Sequence, residues 1–209
     1  MHVSAKSANR SIAILFAIGS LCFLVGPFPG YAQFVGSSAD GMTFFVGSIF
    51  FTSAALLQFL TTRVVGGGRI DWWAGGVQFV GTLCFNVSTH AALQDSLDTH
   101  AVDRLVWRPD VYGSICFLVA SYLAYVSAAG GYGWHRRDTK EWRIGAWNML
   151  GSIAFGISAI AGYVVPSTGD VLALGASNFT TSLGALCFLI GAIILLPRSS
   201  GRPQPAPVA

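Results

Sequence analysis

Gly81-Thr82-Leu83-Cys84-Phe85-Asn86-Val87-Ser88 is the stretch that decides the fold, because its pattern returns in every long apolar run of the chain. A glycine is followed by three small or aliphatic residues, a phenylalanine, two more residues and a small residue. The copies start at Gly19, Gly47, Gly81, Gly113, Gly151 and Gly184, with Phe23, Phe51, Phe85, Phe117, Phe155 and Phe188 at the ring position. They close on Gly26, Ala54, Ser88, Ala120, Ser158 and Gly191. Offsets 0, 3, 4 and 7 share one face of an α-helix, so each copy carries a notch, a ring and a second notch in one stripe. Small residues spaced in this way let helix backbones approach closely in lipid.

The runs around these stripes cover about 11–29, 41–60, 72–93, 109–129, 143–165 and 171–197, each near the roughly 20 residues that cross a bilayer. Only 10% of the 209 residues are charged, and 53% are hydrophobic. A segment in hydrocarbon must satisfy its own backbone hydrogen bonds, and these runs lack the alternation of barrel strands. The reading is an all-α, polytopic membrane protein with six transmembrane helices spanning 11–197. Residues 1–10 are expected to form a cytoplasmic N-terminal segment, and 198–209, rich in Pro and Ser, a disordered cytoplasmic tail. The first run resembles a secretory signal, yet it bears the same stripe as the other five and is read as structure.

Charge sets the expected orientation. Lys6, Arg10, Arg63, Arg69, Arg136, Arg137, Lys140, Arg143, Arg198 and Arg202 fall on one side, and only Arg104 and Arg108 on the other. The first side is therefore cytoplasmic, with both termini on it. Asp40, Asp95, Asp98, Asp103, Asp110 and Asp170 gather on the opposite side. The net charge of +3 follows from topology and gives no footprint for nucleic acid.

The third and fifth helices share a further signature, Trp72-x5-Gln78-x2-Gly81 and Trp142-x5-Asn148-x2-Gly151, and each is followed by a helix with the stripe at nearly the same interval. Helices 3–4 and 5–6 thus read as tandem copies of one hairpin, with helices 1–2 a more diverged third. Repeats two helices apart keep their orientation, so the symmetry axis runs along the membrane normal.

The runs from Gly47 to Ala54, Gly81 to Asn86 and Gly113 to Ala120 resemble a group of uncharacterised bacterial multi-pass membrane proteins. The runs Asn148 to Ser158 and Gly184 to Pro197 are similar to the short YrhK-type hairpin domain. The resemblance covers most of helices 2 to 6. It implies the architecture and a place in the bacterial inner membrane, and it brings no catalytic residues.

Few residues offer chemistry. On the third helix Gln78, Thr82, Asn86 and His90 follow at i, i+4 spacing, and lipid would leave such groups unpaired. Asn148 and Ser152 on the fifth helix, and Asn178, Thr181 and Ser182 on the sixth, are positioned to meet them. Two readings remain open: interhelical hydrogen bonds, or the lining of a polar cavity. The four cysteines, Cys22, Cys84, Cys116 and Cys187, sit three residues after a glycine, where the other copies have Phe50 and Ala154, so the site serves packing. His90, Asp95, Asp98, His100 and Asp103 match no metal-ligand spacing, and no metal or cofactor is expected. Trp107 reads as an interfacial anchor, and Trp72, Trp73, Trp134, Trp142 and Trp147 as a cytoplasmic belt. No Lys, Arg or Glu stands in mid-helix, which removes the usual side chains of a proton relay or voltage sensor. Function is accordingly expected to be non-enzymatic, in a structural or partner-binding bundle whose partners are the lipid bilayer and a second copy or another membrane protein. The alternative is a transporter or channel for a small neutral solute, lined by the polar face of helix 3.

Overall fold

The computed structural model describes residues 4–94, 96–131 and 137–197. His2, Asp95, Trp134, His135, Arg136, Arg198, Arg202 and the tail expected over 198–209 lie outside these residues. Six long helices carry the six stripes: α1 (Ala5–Val25), α2 (Ser37–Thr61), α3 (Arg69–Ala91), α4 (Arg108–Ala129), α5 (Lys140–Ala161) and α6 (Leu174–Leu195). Short helical turns at Tyr31–Val35 and Thr99–Val102 and a π-turn at Asp103–Trp107 precede α2 and α4. The described residues contain no named strand; Val164 and Val171 form one isolated antiparallel bridge in the α5–α6 turn.

Helix starts follow local chemistry. α1 begins at Ala5, six residues earlier than the apolar run, because Ser4 Oγ accepts a hydrogen bond from Ser7 N at 3.2 Å and so caps a polar first turn. Thr139 likewise caps α5 through Trp142 N at 3.2 Å, drawing Lys140 and Glu141 into the helix. Before α3, Asp71 Oδ2 accepts from Gly68 N at 2.7 Å. α4 stops at Gly130, whose φ of 72° is the left-handed conformation that ends a helix at low cost.

Five helical segments are long and apolar enough to cross a membrane, those of α1, α2, α4, α5 and α6. α3 is diluted by Arg69, Asp71, Gln78, Asn86 and His90. Its outward side is nevertheless apolar, with Val80, Leu83 and Val87 each exposed by more than 40%.

The six helices close into a ring in chain order, each packing on its two neighbours and α6 returning to α1. Within each hairpin the repeat glycines face each other. A Cβ placed on Gly113 would lie 3.0 Å from Gly81 O and 2.9 Å from Phe85 Cε1, and one on Gly81 would lie 3.1 Å from Gly113 O. Gly19 meets Gly47, and Gly151 meets Gly184, in the same way. The notches are therefore filled within the hairpins.

The six phenylalanines meet at the centre of the ring. Phe51, Phe117 and Phe188, from the even helices, form a triangle with centroid separations of 6.2, 6.0 and 5.6 Å. Phe155 touches Phe23 and Phe85, both at 6.1 Å, among the odd helices. The hairpin partners Phe23–Phe51, Phe85–Phe117 and Phe155–Phe188 join the two sets at 5.6, 5.0 and 5.3 Å. None of the six is more than 8% exposed. Most of these pairs are tilted or edge-on, the geometry aromatic rings prefer.

Between hairpins the joints are polar. The residue after each glycine is Ser20, Ser48, Thr82, Ser114, Ser152 or Ala185, and every one of them is buried. At the α4/α5 joint Ser114 Oγ donates to Phe155 O at 3.4 Å, Ser152 Oγ donates to Phe117 O at 3.1 Å, and the hydroxyls of Ser121 and Ser152 bond at 2.7 Å. At the α2/α3 joint Ser48 and Thr89 share a 3.0 Å bond. The α6/α1 joint differs: Ser182 Oγ donates to Leu24 O at 3.2 Å, Ala185 stands where the other copies have a hydroxyl, and Ser20 Oγ is buried with no partner among the described residues.

Candidate functional site

At the end where α1, α3 and α5 begin and α2, α4 and α6 finish, the ring widens around a central cavity of about 410 Å³ to which all six helices contribute. The repeat explains its wall. Counting back ten residues from the glycine of each odd helix gives Asn9, Asp71 and Glu141; counting back three gives Phe16, Gln78 and Asn148; all six line the cavity. The first trio stands near the helix starts and forms the mouth, and the second lies about 10 Å deeper along helices that rise 1.5 Å per residue. The floor is formed by Phe188, one of the packed phenylalanines, and by Phe16, whose ring lies 5.8 Å from that of Phe51.

The polar groups of this vestibule divide into engaged and unengaged. Asp71 holds Gly68 N, and Lys140 Nζ donates to Leu195 O and Leu196 O at 3.0 and 3.4 Å, capping the end of α6. Glu141, exposed in the first turn of α5, complements the helix dipole but makes no hydrogen bond or ion pair among the described residues. Asn9, Gln58, Gln78 and Asn148, from four different helices, likewise have no side-chain hydrogen bond to the protein among the described residues. A carboxamide offers two donors and an acceptor with two lone pairs, so these four call for partners in the cavity. Asn148 Oδ1 lies 2.5 Å from where a Cβ on Gly191 would be, so the glycine makes room for the amide.

The other residues singled out from the sequence go elsewhere. Thr82 is fully buried and donates back to Phe79 O at 2.7 Å. Asn86 faces α2: with Nδ2 turned to that helix it donates to Ser48 Oγ at 2.9 Å and Ser48 O at 3.0 Å, while Oδ1 accepts from Thr52 Oγ1 at 2.9 Å. His90 is exposed at the opposite end, its ring 5.5 Å from Phe45. Asn178 lines a separate groove of about 370 Å³ between α1 and α6, with Leu24, Phe28 and Phe179. The expected meeting of the helix 3 stripe with Ser152, Thr181 and Ser182 does not occur. Those hydroxyls bond to α4, α5 and α1 because the ring seats α3 between α2 and α4. Trp107, expected as an interfacial anchor, also ties α4's lead-in to α5: Nε1 donates to Ala159 O at 2.8 Å and the ring packs on Tyr163.

Removing a bonded and an unbonded amide separates these roles. Asn86→Leu is expected to cost about 1–2 kcal/mol, from several contacts worth about 0.6 kcal/mol each in membrane proteins. Gln78→Leu is expected to stay within about 0.5 kcal/mol of the parent, as no protein hydrogen bond is lost. Unfolding of both variants in mixed micelles reads the difference.

Among the described residues no group of three or more His, Cys, Asp or Glu is placed to hold a metal ion, and the four cysteines are free thiols. Compared with protein family models, curated proteins and solved structures, the chain finds no match.

Proposed function

We propose that this is a six-span, non-enzymatic protein of the bacterial inner membrane, with both termini cytoplasmic, whose vestibule binds a small uncharged solute from the cytoplasmic side. The observation that carries the reading is the ring of four carboxamides with no protein partner around one cavity. A bundle serving assembly alone has no use for unpaired amides round a hollow, and its glycine notches are already spent within hairpins. The sixth span is α3: its 23 residues reach about 34 Å, its outer face is apolar, and it is locked to α4 by the glycine pair. The cation-rich loops lie at the vestibule end, which supports a cytoplasmic mouth. The phenylalanine layer speaks for a one-ended binding site over an open pore. The YrhK-type resemblance agrees with the placement.

Cysteine accessibility tests this. In a background with Cys22, Cys84, Cys116 and Cys187 changed to alanine, Gln78→Cys and Asn148→Cys are expected to react with a water-soluble thiosulfonate added on the cytoplasmic side. Phe117→Cys is expected to stay unlabelled. Labelling of the two vestibule positions only from the other side, or from neither, overturns the proposal.

A further inference from the structure

We infer that the vestibule's ligand is an uncharged molecule joining an amide-type donor–acceptor edge to a hydrocarbon body, an inference that rests on the vestibule reading above. The ground is the level three residues before the repeat glycines. Phe16, Gln78 and Asn148 sit there on α1, α3 and α5, alternate members of the ring, and all three face the cavity. Of these three side chains two are carboxamides and one is an aromatic ring, and Phe188 adds a second ring at the floor.

Each alternative ligand leaves part of this wall unmatched. A hydrocarbon would strand the amides of Gln78 and Asn148, and a buried polar group without a partner costs about 1–3 kcal/mol. A polyol or other wholly polar solute would lose hydrogen bonds against Phe16 and Phe188. An ion would enter a level holding no opposite charge: Asp71 and Glu141 stand seven residues nearer the mouth on the same helices, and Lys140 is bound to the end of α6. Leaving a charge unpaired away from water is expensive. An amide edge, by contrast, offers donor to acceptor and acceptor to donor against each side chain. The cavity, at about 410 Å³, holds a one-ring molecule with room for water and falls within the usual span of small-molecule sites.

A matched series reads the inference. Benzamide, benzoate, benzylammonium and acetamide are titrated calorimetrically into the full chain in lipid nanodiscs, with empty nanodiscs as reference. Benzamide is expected to bind at least tenfold more tightly than each of the others. Gln78→Leu and Asn148→Leu are each expected to weaken it at least fivefold. Phe16→Gln, which gives all three odd helices an amide, is expected to erase the preference for benzamide over acetamide. Equal or tighter binding of benzoate or benzylammonium overturns the uncharged class, and equal binding of acetamide overturns the hydrocarbon body. If none of the four binds while Gln78→Cys still labels from the cytoplasmic side, the ligand class falls and the vestibule stands; if labelling fails as well, both fall.

Discussion

Gly113→Val is expected to lose about 3 kcal/mol or more of stability, the upper range of overpacking costs. The first added carbon alone would come within 2.9 Å of Phe85 Cε1 and 3.0 Å of Gly81 O. A ring can tilt away, but the carbonyl belongs to the facing backbone, so the α3–α4 hairpin must spread. Spreading draws Phe85 and Phe117 apart, and both belong to the central cluster, so the damage travels beyond one hairpin. Gly175→Ala is the control, since a Cβ at Gly175 meets nothing within 4 Å. It is expected to change stability by less than about 0.5 kcal/mol. Equilibrium unfolding in mixed micelles gives both values, and equal losses would remove the close-approach account of the hairpins.

Phe117→Ala is expected to cost about 3–4 kcal/mol and, in addition, to make sealed liposomes leaky to small neutral solutes. Phe117 is 1% exposed and touches the rings of Phe51, Phe85, Phe155 and Phe188. Lipid tails are as apolar as the side chain, so solvation supplies little; the loss is of dispersion contacts around a void the neighbours cannot fill. The cost is set in the range measured for large-to-small core changes. The leak follows from position, because Phe117 belongs to the layer that closes the vestibule floor. Stopped-flow swelling of vesicles measures it. Loss of stability with membranes still tight would mean that the layer holds the helices together without sealing them.

Much of this architecture is written in the repeat. A glycine and a phenylalanine at fixed offsets on six helices foretold close backbone pairing, and the shared Trp-x5-amide-x2-Gly signature grouped α3–α4 and α5–α6 as hairpins. Reading the repeat further in both directions would have given more. One residue after the glycine lies a buried hydroxyl in five of six copies, Ser, Ser, Thr, Ser and Ser, and those of Ser48, Ser114 and Ser152 bond across the joints. Three and ten residues before it lie the vestibule trios. The helix 3 stripe misled for a geometric reason: spacing of four overshoots a turn of 3.6 residues by about 40°, so Gln78 and His90 differ by about 120° in direction. One stripe on paper thus serves the vestibule, the α2 joint and the end opposite the vestibule. Helix starts at Ala5 and Lys140 escaped hydropathy because caps set them. The order of helices round the ring, with α6 returning to α1, is a long-range outcome that no local pattern encodes.

That return has a consequence for biogenesis. Two of the three seams can zip as soon as neighbouring hairpins emerge side by side, whereas the third waits until everything else has been inserted. Ser20 ends up fully buried once the circle shuts, and its hydroxyl gains no hydrogen bond there among the described residues. Among the described residues the seam fastened last also has the fewest hydrogen bonds, the Ser182–Leu24 bond against two or more at each of the others, so it is the seam expected to open first.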